Sequence, residues 1–457
     1  MAKSTIRDMT VGSPMKLILG FAVPLLFGLA FQQLYSFVDT AIVGKVLGAT
    51  KLAAVGSTGA VNFLILGLCN GMCSGMSIPI AQDFGAKEET ELRRHVANAI
   101  YVCAVFSVLV AVITGSLCSA ILRLMNTDES ILPDAVAYIR IIFFAIPVTV
   151  LYNMSSGILR ALGDSKTPVM FIALASVINI VLDLLFMLGL GMGVEGAAIA
   201  TVISQLVSGV GCVIVMIRRF PILHLSTDDR KFRFPYAKHL VYVGIPMGLQ
   251  FSITAIGSII IQWAVNGISV AAVAAMTAAG KINMFFNCVF DALSTTMATY
   301  AGQNVGARNP ERVSQGMRAT SKIGIVYCLI SLAVIWFLGP LLLSIFLDAS
   351  KETEIISMAH LALKFYGAFY IPLLFVNVVR LTIQGMGYTN VAMIAGVMEM
   401  IARTLAALLL VPPFGFVGAC LGNPLAWIFA DAFLVPCYVF LINRMKKRWP
   451  SAAVSEA

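Results

Sequence analysis

The chain has 457 residues, of which 59% are hydrophobic and only 12% are charged, and its mean hydropathy is +0.92. These values exclude an ordinary soluble globule and a disordered chain. The net charge of +9 would indicate an acidic partner such as nucleic acid if the protein were soluble. So apolar a chain is instead typical of a bundle of membrane-spanning helices. We therefore predict an all-α integral membrane protein that contacts the lipid bilayer and no nucleic acid.

Apolar segments long enough to cross a bilayer alternate with short stretches of Gly, Pro or charged residues. In chain order these segments are roughly residues 16–44, 52–82, 94–121, 133–158, 167–190, 194–217, 239–263, 270–300, 319–347, 355–383, 391–411 and 416–443. We expect each of them to form one transmembrane helix, which gives twelve spans.

Basic residues are distributed unevenly between the two sides of the predicted bundle. With the N-terminus placed inside, the outer loops carry Lys45, Lys51, Arg123 and Lys351, whereas most of the 31 Lys and Arg residues, Arg380 among them, fall on the inner side. Cytoplasmic loops of membrane proteins carry an excess of Lys and Arg. This asymmetry predicts that both termini are cytoplasmic.

The two halves of the chain resemble each other. The longest polar stretch, residues 218–238, lies between them and is predicted to be a cytoplasmic linker. The matched positions, in the same order and at nearly constant separation, are Pro24 and Pro246, Gln82 and Gln303, Pro147 and Pro372, Gly163 and Gly387, and Gly193 and Gly415. We predict two pseudo-symmetric six-helix lobes, residues 1–217 and 239–457, around a central cleft, which is typical of transporters. A duplication without transport is the alternative.

Five carboxylates fall within the predicted spans: Asp39, Asp183, Asp291, Glu399 and Asp431. A charged side chain at the centre of a bilayer costs about 2.5–3.5 kcal/mol on insertion scales, so an acid there is a functional candidate. Each acid could instead be a hydrogen-bonded contact that holds two helices together. Depth in the membrane separates these candidates.

Four polar residues fall at one level of the outer half of the first lobe. At 1.5 Å per residue, Asp39 lies ~7 Å from the outer end of its span, Asn179 ~15 Å, Asp183 ~9 Å and Thr201 ~12 Å. Asn179 and Asp183 are four residues apart and share a helix face. Two carboxylates with amide and hydroxyl oxygens can bind Na⁺ or share a proton. We predict a cation-coupling site here and no other metal site, although the Thr201 hydroxyl could simply bond to its own helix.

The second half contains no copy of this acidic pair. The repeat places Ile261 and Gln262 where Asp39 stands, and residues 405–407 where Asp183 stands. Duplication of a gene segment therefore does not by itself account for the acids, and the predicted cation site belongs to the first lobe alone.

Other polar residues of the spans are candidates for the cleft. Glu399 and Arg403 are four residues apart and are predicted to form an ion pair within the eleventh span. Asp291 and Asp431 are isolated acids that could face the cleft or pair with Arg380. The candidate cleft residues are Asp291, Gln250, Glu399 and Arg403.

Five segments of the chain form a distinctive combination: FAVPLLFGLAFQQLYSFVDTAIVGKVLG, IAQDFGAKEETELRRHV, GILRALGDSKTP, INIVLDLLFMLGLGMGVEGAAIATVISQ and YAGQNVGARNPERV. Together they resemble the multidrug and toxic compound extrusion (MATE) transporters, and the resemblance runs over essentially the whole chain. The resemblance implies two six-helix lobes, alternating access, and efflux of bulky, often cationic amphipathic compounds in exchange for H⁺ or Na⁺. It implies no enzymatic activity and no cofactor besides the coupling ion.

In the prokaryotic members that the chain resembles, a cation site in the N-terminal lobe uses residues that correspond to Asp39, Asn179, Asp183 and Thr201. The resemblance also implies a multi-pass protein of the cytoplasmic (plasma) membrane, which we expect to be a monomer. The sodium-coupled branch carries a Glu in the seventh span and an Asp in the tenth. This chain has Gln250 and Thr254 after Pro246 and no acid in the tenth span, so coupling through the first lobe, with H⁺ ahead of Na⁺, is expected.

Two other functions remain open from the sequence. A flippase of the same superfamily for lipid-linked oligosaccharides or peptidoglycan precursors would need a cationic cleft for a pyrophosphate. Apart from basic residues near span ends, which are counted with the inner side, the basic residues of the predicted spans are Arg140, Lys281, Lys364 and Arg403, which argues against it. A membrane enzyme would need paired acids that hold Mg²⁺ at a loop edge, or a Ser/His or metal cluster, and the sequence offers neither.

Overall fold

A computed structural model describes residues 7–125, 127–345, 347 and 352–450 of the chain. Lys351, which the charge pattern assigns to an outer loop, lies outside the described residues. All regular secondary structure in this part of the chain is helical, which confirms the predicted all-α class.

The first half of the chain contains helices α1 to α8. Their bounds are α1 Pro14–Leu47, α2 Ala49–Ser57, α3 Gly59–Ala86, α4 Glu89–Leu124, α5 Leu132–Phe144, α6 Ile146–Ala161, α7 Lys166–Leu184 and α8 Gly193–Arg219. A π-helical turn, Leu185–Gly189, continues α7, and a short 3₁₀ turn, Pro221–Leu223, follows α8.

The second half contains helices α9 to α16. Their bounds are α9 Phe234–Asn266, α10 Val270–Gly306, α11 Pro310–Leu343, α12 Thr353–Ala368, α13 Tyr370–Gly385, α14 Thr389–Leu405, α15 Val411–Phe414 and α16 Phe416–Arg448. A second π-helical turn, Ala406–Leu410, joins α14 to α15.

Ten helical segments of the described chain are long and apolar enough to cross a membrane. Two further helix pairs pass the same test together and are bent at a short break, α5 with α6 by 47° and α12 with α13 by 53°. Counting each bent pair as one span gives twelve, and their positions confirm the twelve segments predicted from hydropathy.

Structural irregularities recur at matched places in the two halves, as a repeat requires. Both bent pairs belong to the fourth span of their half, and both π-helical turns lie in the last part of the fifth span. Lys87 and Arg308, which end the second span of each half, both adopt the left-handed backbone region, with φ of 61° and 55°. Because non-glycine residues adopt that conformation uncommonly, its recurrence supports the internal repeat.

The chain forms two compact units. The first unit contains Val23–Ser252 with residues 7 and 8, and the second contains Met9–Ala22 and the described part of Ile253–Ala457. Helices α1 and α9 therefore each contribute residues to both units. In α1 the boundary between the two units falls between Ala22 and Val23, next to Pro24. Proline cannot donate a backbone hydrogen bond and permits a bend in the helix.

Glycines let α3 approach the first part of α9 closely within the first unit. A Cβ on Gly71 would lie 2.6 Å from the Met247 carbonyl oxygen, and one on Gly75 would lie 2.7 Å from Gly244 Cα. Any larger side chain would separate the two backbones. Small residues at such contacts are the usual means of packing helices in a membrane, where apolar side chains gain little by leaving lipid.

The polar stretch before α9 is anchored to α4. The Asp229 carboxylate accepts hydrogen bonds from Arg93 Nε at 3.1 Å and from the Ser226 hydroxyl at 2.7 Å. Asn98 Oδ1 accepts a hydrogen bond from the Arg233 amide at 2.8 Å. Asp229 is only 4% exposed, so the predicted linker packs against the first unit through a buried carboxylate.

The protonation state of Asp229 controls this anchor. Burial alone would raise its pKa, but hydrogen bonds from Ser226 and the charge of Arg93 outweigh burial and hold the pKa below its usual value. A carboxyl with a depressed pKa stabilises the folded state above its unfolded-state pKa of about 3.9, and that stabilisation is lost as the pH falls through the lowered value.

We expect Asp229→Asn to release the linker, because the neutral amide cannot replace a charge-assisted acceptor of two donors. Amide hydrogen exchange over residues 226–233, followed by mass spectrometry near neutral pH, should become markedly faster. Asp228→Asn is the matched control, since Asp228 pairs with Lys231 and Arg233 of the linker and, at 3.6 Å, with Arg94 of α4, but its side chain is 53% exposed. Equal acceleration in both variants would contradict the assignment of the anchor to Asp229.

Candidate functional site

The four residues predicted to bind the coupling cation lie together in the first unit. Asp39 is on α1, Asn179 and Asp183 are on α7, and Thr201 is on α8. Asn179 and Asp183 are completely buried. The first, fifth and sixth spans, which are distant in sequence, thus bring their polar side chains into one cluster.

Asn179 connects α7 to α8 through its side-chain amide. With the amide oriented to satisfy its neighbours, the nitrogen donates to Asp183 Oδ2 at 2.8 Å and the oxygen accepts from the Thr201 backbone amide at 3.1 Å. Both polar ends of Asn179 are therefore used, and one oxygen of Asp183 is fixed in place.

The carboxyl groups of Asp39 and Asp183 are within hydrogen-bonding reach of each other. Two ionised carboxylates can only accept hydrogen bonds and repel each other, so a proton on one of them favours this arrangement. Asp39 Oδ1 and Asp183 Oδ1 are also buried and accept no hydrogen bond from any described N–H or O–H group.

Thr201 contributes less to this pair than the sequence suggested. Its hydroxyl donates to the carbonyl of Ala197 at 3.0 Å, one turn earlier in α8, which is the alternative left open for this residue. The hydroxyl oxygen stays 3.4 Å from the Asn179 amide group. Thr201 is therefore an auxiliary polar neighbour of the acids.

Two tyrosines that sequence reasoning missed flank the acids. Tyr35 lies one turn before Asp39 on α1 and hydrogen-bonds to Thr201, and the charge of each acid acts on both Tyr35 and Tyr138. The spacing of Tyr35 and Asp39 was a readable signal, because residues four apart share a helix face. Tyr138 on α5 offered no such signal, since only folding brings it near.

A polar cavity opens beside the acids within the first unit. A compartment of about 170 Å³ contacts Asp39, Tyr35, Tyr138 and Thr201, and it shares Asn62 and Gln205 with a larger compartment of about 510 Å³. The larger compartment is also lined by Gln32, Asn70, Thr149, Tyr152 and Asn153, among others. The volume of the larger compartment lies in the range of small-molecule sites. Asp39 lines the smaller compartment, which adjoins this ligand-sized space through the residues that the two share.

The π-helical turn Leu185–Gly189 begins two residues after Asp183. Such turns interrupt the regular α-helical hydrogen bonding and occur frequently at functional sites. It ends the helix that carries both Asn179 and Asp183, close to the site.

A model of the MatE family matches residues 24–185 and 246–430. The chain belongs to the MatE family. The two matched stretches correspond to the two halves of the internal repeat. Members of this family are transporters, so the chain is a multi-pass membrane transport protein and not an enzyme, as predicted from the sequence.

Relatives of this MatE transporter carry names of two kinds. It is 28% identical to the probable multidrug resistance protein YpnP of Bacillus subtilis, covering 81% of this chain and 82% of the relative. It is 25% identical to a protein named FAD transporter of Shewanella oneidensis, covering 71% and 73%. The crystal structure of a MATE protein in complex with MaL6 superposes with a TM-score of 0.90 at 23% identity, covering 98% of this chain and all of that one, and it confirms the fold.

The second unit of this MatE transporter contains a buried ionic cluster. Glu399 forms an ion pair with Arg403 at 3.2 Å on the same helix, as predicted, and also contacts Arg380 on α13. Arg403 Nε donates to Asn423 Oδ1 at 3.0 Å. Arg380, counted from the sequence with the inner basic residues, is only 6% exposed, so its place is inside the bundle as a partner of Glu399.

The two remaining candidate cleft residues stand apart from these clusters. Gln250 is a buried residue of α9 in the first unit, and Asp291 is exposed on α10 in the second. Neither lines the two cavities beside Asp39. Their assignment to the cleft stays a prediction.

Proposed function

We propose that this MatE transporter is a proton-coupled antiporter that exports bulky, cationic amphipathic compounds by alternating access. The observation that carries the proposal is the contact between the carboxyl groups of Asp39 and Asp183 next to a ligand-sized cavity. A site whose arrangement is favoured by one proton is suited to bind and release that proton during a cycle.

The side-chain oxygen atoms at the site favour H⁺ over Na⁺ as the coupling ion. A sodium ion needs several oxygen atoms free to coordinate it. The Asn179 oxygen already accepts from the Thr201 amide, and the Thr201 hydroxyl bonds to its own helix. The oxygens best placed to receive a cation are those of Asp39 and Asp183, which is enough for a proton.

Charge links the two transported species. With the pair deprotonated, its negative charge attracts an organic cation into the adjoining cavity. Uptake of the shared proton reduces the pair from two negative charges to one and weakens that attraction, so proton and cation compete with each other, which is the differential binding that exchange requires. Asp39, on the span that contributes to both units, is the gate acid, and Asp183 with Asn179 is its partner.

The cavity lining supports a neutral or cationic substrate over a pyrophosphate. None of the described residues that line either compartment is Lys or Arg, whereas phosphate groups are usually bound by Arg or Lys. A lipid-linked glycan flippase is therefore less well matched than multidrug efflux, and the relative YpnP is named a probable multidrug resistance protein.

For the cellular arrangement we keep the predictions from the sequence. They comprise lobes at residues 1–217 and 239–457, a cytoplasmic linker at 218–238, both termini in the cytoplasm, and a monomer in the plasma membrane. The excess of basic residues on the inner side supports this orientation.

The test is transport by the purified protein in proteoliposomes with an imposed gradient of either pH or Na⁺. We expect a fluorescent cationic dye to move against its gradient when pH alone is imposed, and FAD not to move. Dye movement driven only by Na⁺ would overturn proton coupling. Movement of FAD and not of dye would overturn the substrate class.

A further inference from the structure

Asp431 of the second unit lies near the buried ionic cluster. Unlike Glu399, it forms no ion pair with a described residue. Asp431 lies on α16, where it is half-buried, and the charge of Arg380 acts on it. Its Oδ1 atom is buried and accepts no hydrogen bond from the described part of the chain. A buried carboxylate oxygen without a donor is costly, so its presence calls for an explanation.

The ionic cluster of Arg380, Glu399 and Arg403 involves helices that correspond, by the internal repeat, to helices of the site around Asp39 and Asp183. Helices α14 and α16 of the second half correspond to α7 and α8 of the first. Glu399 and Arg403 reproduce the four-residue spacing of Asn179 and Asp183. Asn423 lies eight residues after Gly415, and Thr201 lies eight residues after Gly193, the repeat equivalent of Gly415. A polar contact between the fifth and sixth spans of each half is therefore present in both halves, with different residues.

The charges of the cluster balance only when Asp431 is ionised. Glu399 is 2% exposed and contacts both Arg380 and Arg403, which are 6% and 4% exposed. Two guanidinium groups and one carboxylate leave one net positive charge, which an ionised Asp431 cancels. Binding of one proton at Asp431 therefore converts a neutral buried cluster into one with a single positive charge.

The surroundings leave Asp431 as the exchangeable group. Arg380 faces it from α13, Glu399 and Arg403 belong to α14, and Tyr366 of α12 faces Arg403. The guanidinium groups stay protonated in proteins, and Glu399 is held between both of them. A proton exchanged within this group of residues is therefore exchanged at Asp431.

We propose that Asp431 is a second proton-binding site of the transport cycle, with Arg380, Glu399 and Arg403 as its fixed charges. A proton taken up there gives the second unit a positive charge that disfavours an organic cation, and its release restores neutrality. This inference rests on the proposed proton-coupled export and adds a second proton to it.

The number of protons exchanged per dye molecule tests the inference. Proteoliposomes are held at zero membrane potential with a pH gradient of one unit, and the dye gradient sustained at steady state is measured for the wild type and Asp431→Asn. Each coupled proton contributes a factor of about ten to that gradient, because tenfold in concentration equals 1.4 kcal/mol. We expect Asp431→Asn to sustain a dye gradient about tenfold smaller than that of the wild type. The control is Asp128→Asn, which removes an exposed acid of a predicted outer loop and should sustain the same dye gradient as the wild type.

A spectroscopic titration keeps the test independent of dye transport and of the function proposed above. The infrared absorption of protonated carboxyl groups is followed with pH in the wild type, in Asp431→Asn and in Arg380→Gln. We expect one carboxyl band to be missing in Asp431→Asn and to titrate at a different pH in Arg380→Gln.

The outcomes separate this inference from the proposed function. An unchanged dye gradient in Asp431→Asn, with wild-type transport driven by pH, would overturn the second proton site and leave the proposed function standing. If the wild type moves no dye, the proposed function fails, and the titration alone then decides whether Asp431 binds a proton. Carboxyl bands that are identical in the wild type and in a folded Asp431→Asn variant would overturn the site.

Discussion

Replacing either acid of the first unit, by Asp39→Asn or Asp183→Asn, is expected to slow dye export driven by a pH gradient by at least about tenfold, and the double variant should be no slower than each single one. In the proposed mechanism the two carboxyl groups share one proton, so removing either partner removes the whole site. A hydrogen bond to a charged group contributes about 1.5–3 kcal/mol, which corresponds to about 10- to 100-fold in rate. Initial rates of dye transport in proteoliposomes measure the loss.

Thr201 and Asn179 provide graded controls for this prediction. Thr201→Ala should reduce transport only slightly, because the Thr201 hydroxyl bonds to the Ala197 carbonyl rather than to an acid. Asn179→Ala should be more damaging, since it removes the donor to Asp183. If the losses of the two Asp variants simply multiply in the double variant, the acids act independently, and the shared proton is wrong.

Replacing the shared anion of the second unit by Glu399→Gln is expected to destabilise the protein by about 3–5 kcal/mol, the usual cost of removing one partner of a buried ion pair. Glu399 is the carboxylate in contact with both Arg380 and Arg403. Its loss leaves two buried guanidinium groups facing each other. Thermal unfolding of the purified protein in detergent should show a transition several degrees below that of the wild type.

Arg403→Met is the comparison that makes this prediction specific. It removes one cation and keeps the contact of Glu399 with Arg380, so one ion pair survives. We expect its unfolding transition to lie between those of the wild type and Glu399→Gln. A larger loss in Arg403→Met than in Glu399→Gln would mean that packing around the Arg403 side chain, against Gly257 and Asn423, outweighs the charge balance.

The sequence alone determined the spans, their number and the internal repeat. The thickness of a bilayer sets how many consecutive apolar residues a spanning helix needs. Backbone groups in lipid must form their hydrogen bonds within their own helix. Hydropathy along the chain therefore predicts each span. The same rules made the acids at positions 39 and 183 stand out, because a charge in a membrane carries a cost that a neutral residue does not. The spacing of Asn179 and Asp183, and of Glu399 and Arg403, placed each pair on one helix face.

Only the tertiary structure decided which polar groups meet across helices. The mutual contact of Asp39 and Asp183 and the position of Tyr138 beside them join helices that are far apart in sequence. The pairing of Arg380 with Glu399 joins two consecutive helices, α13 and α14. Helix periodicity fixes which face a residue occupies but not which neighbour that face meets or the rotation of each helix, since side-chain packing sets both. For the same reason the cavity next to Asp39, which several helices line together, could be found only in the folded chain.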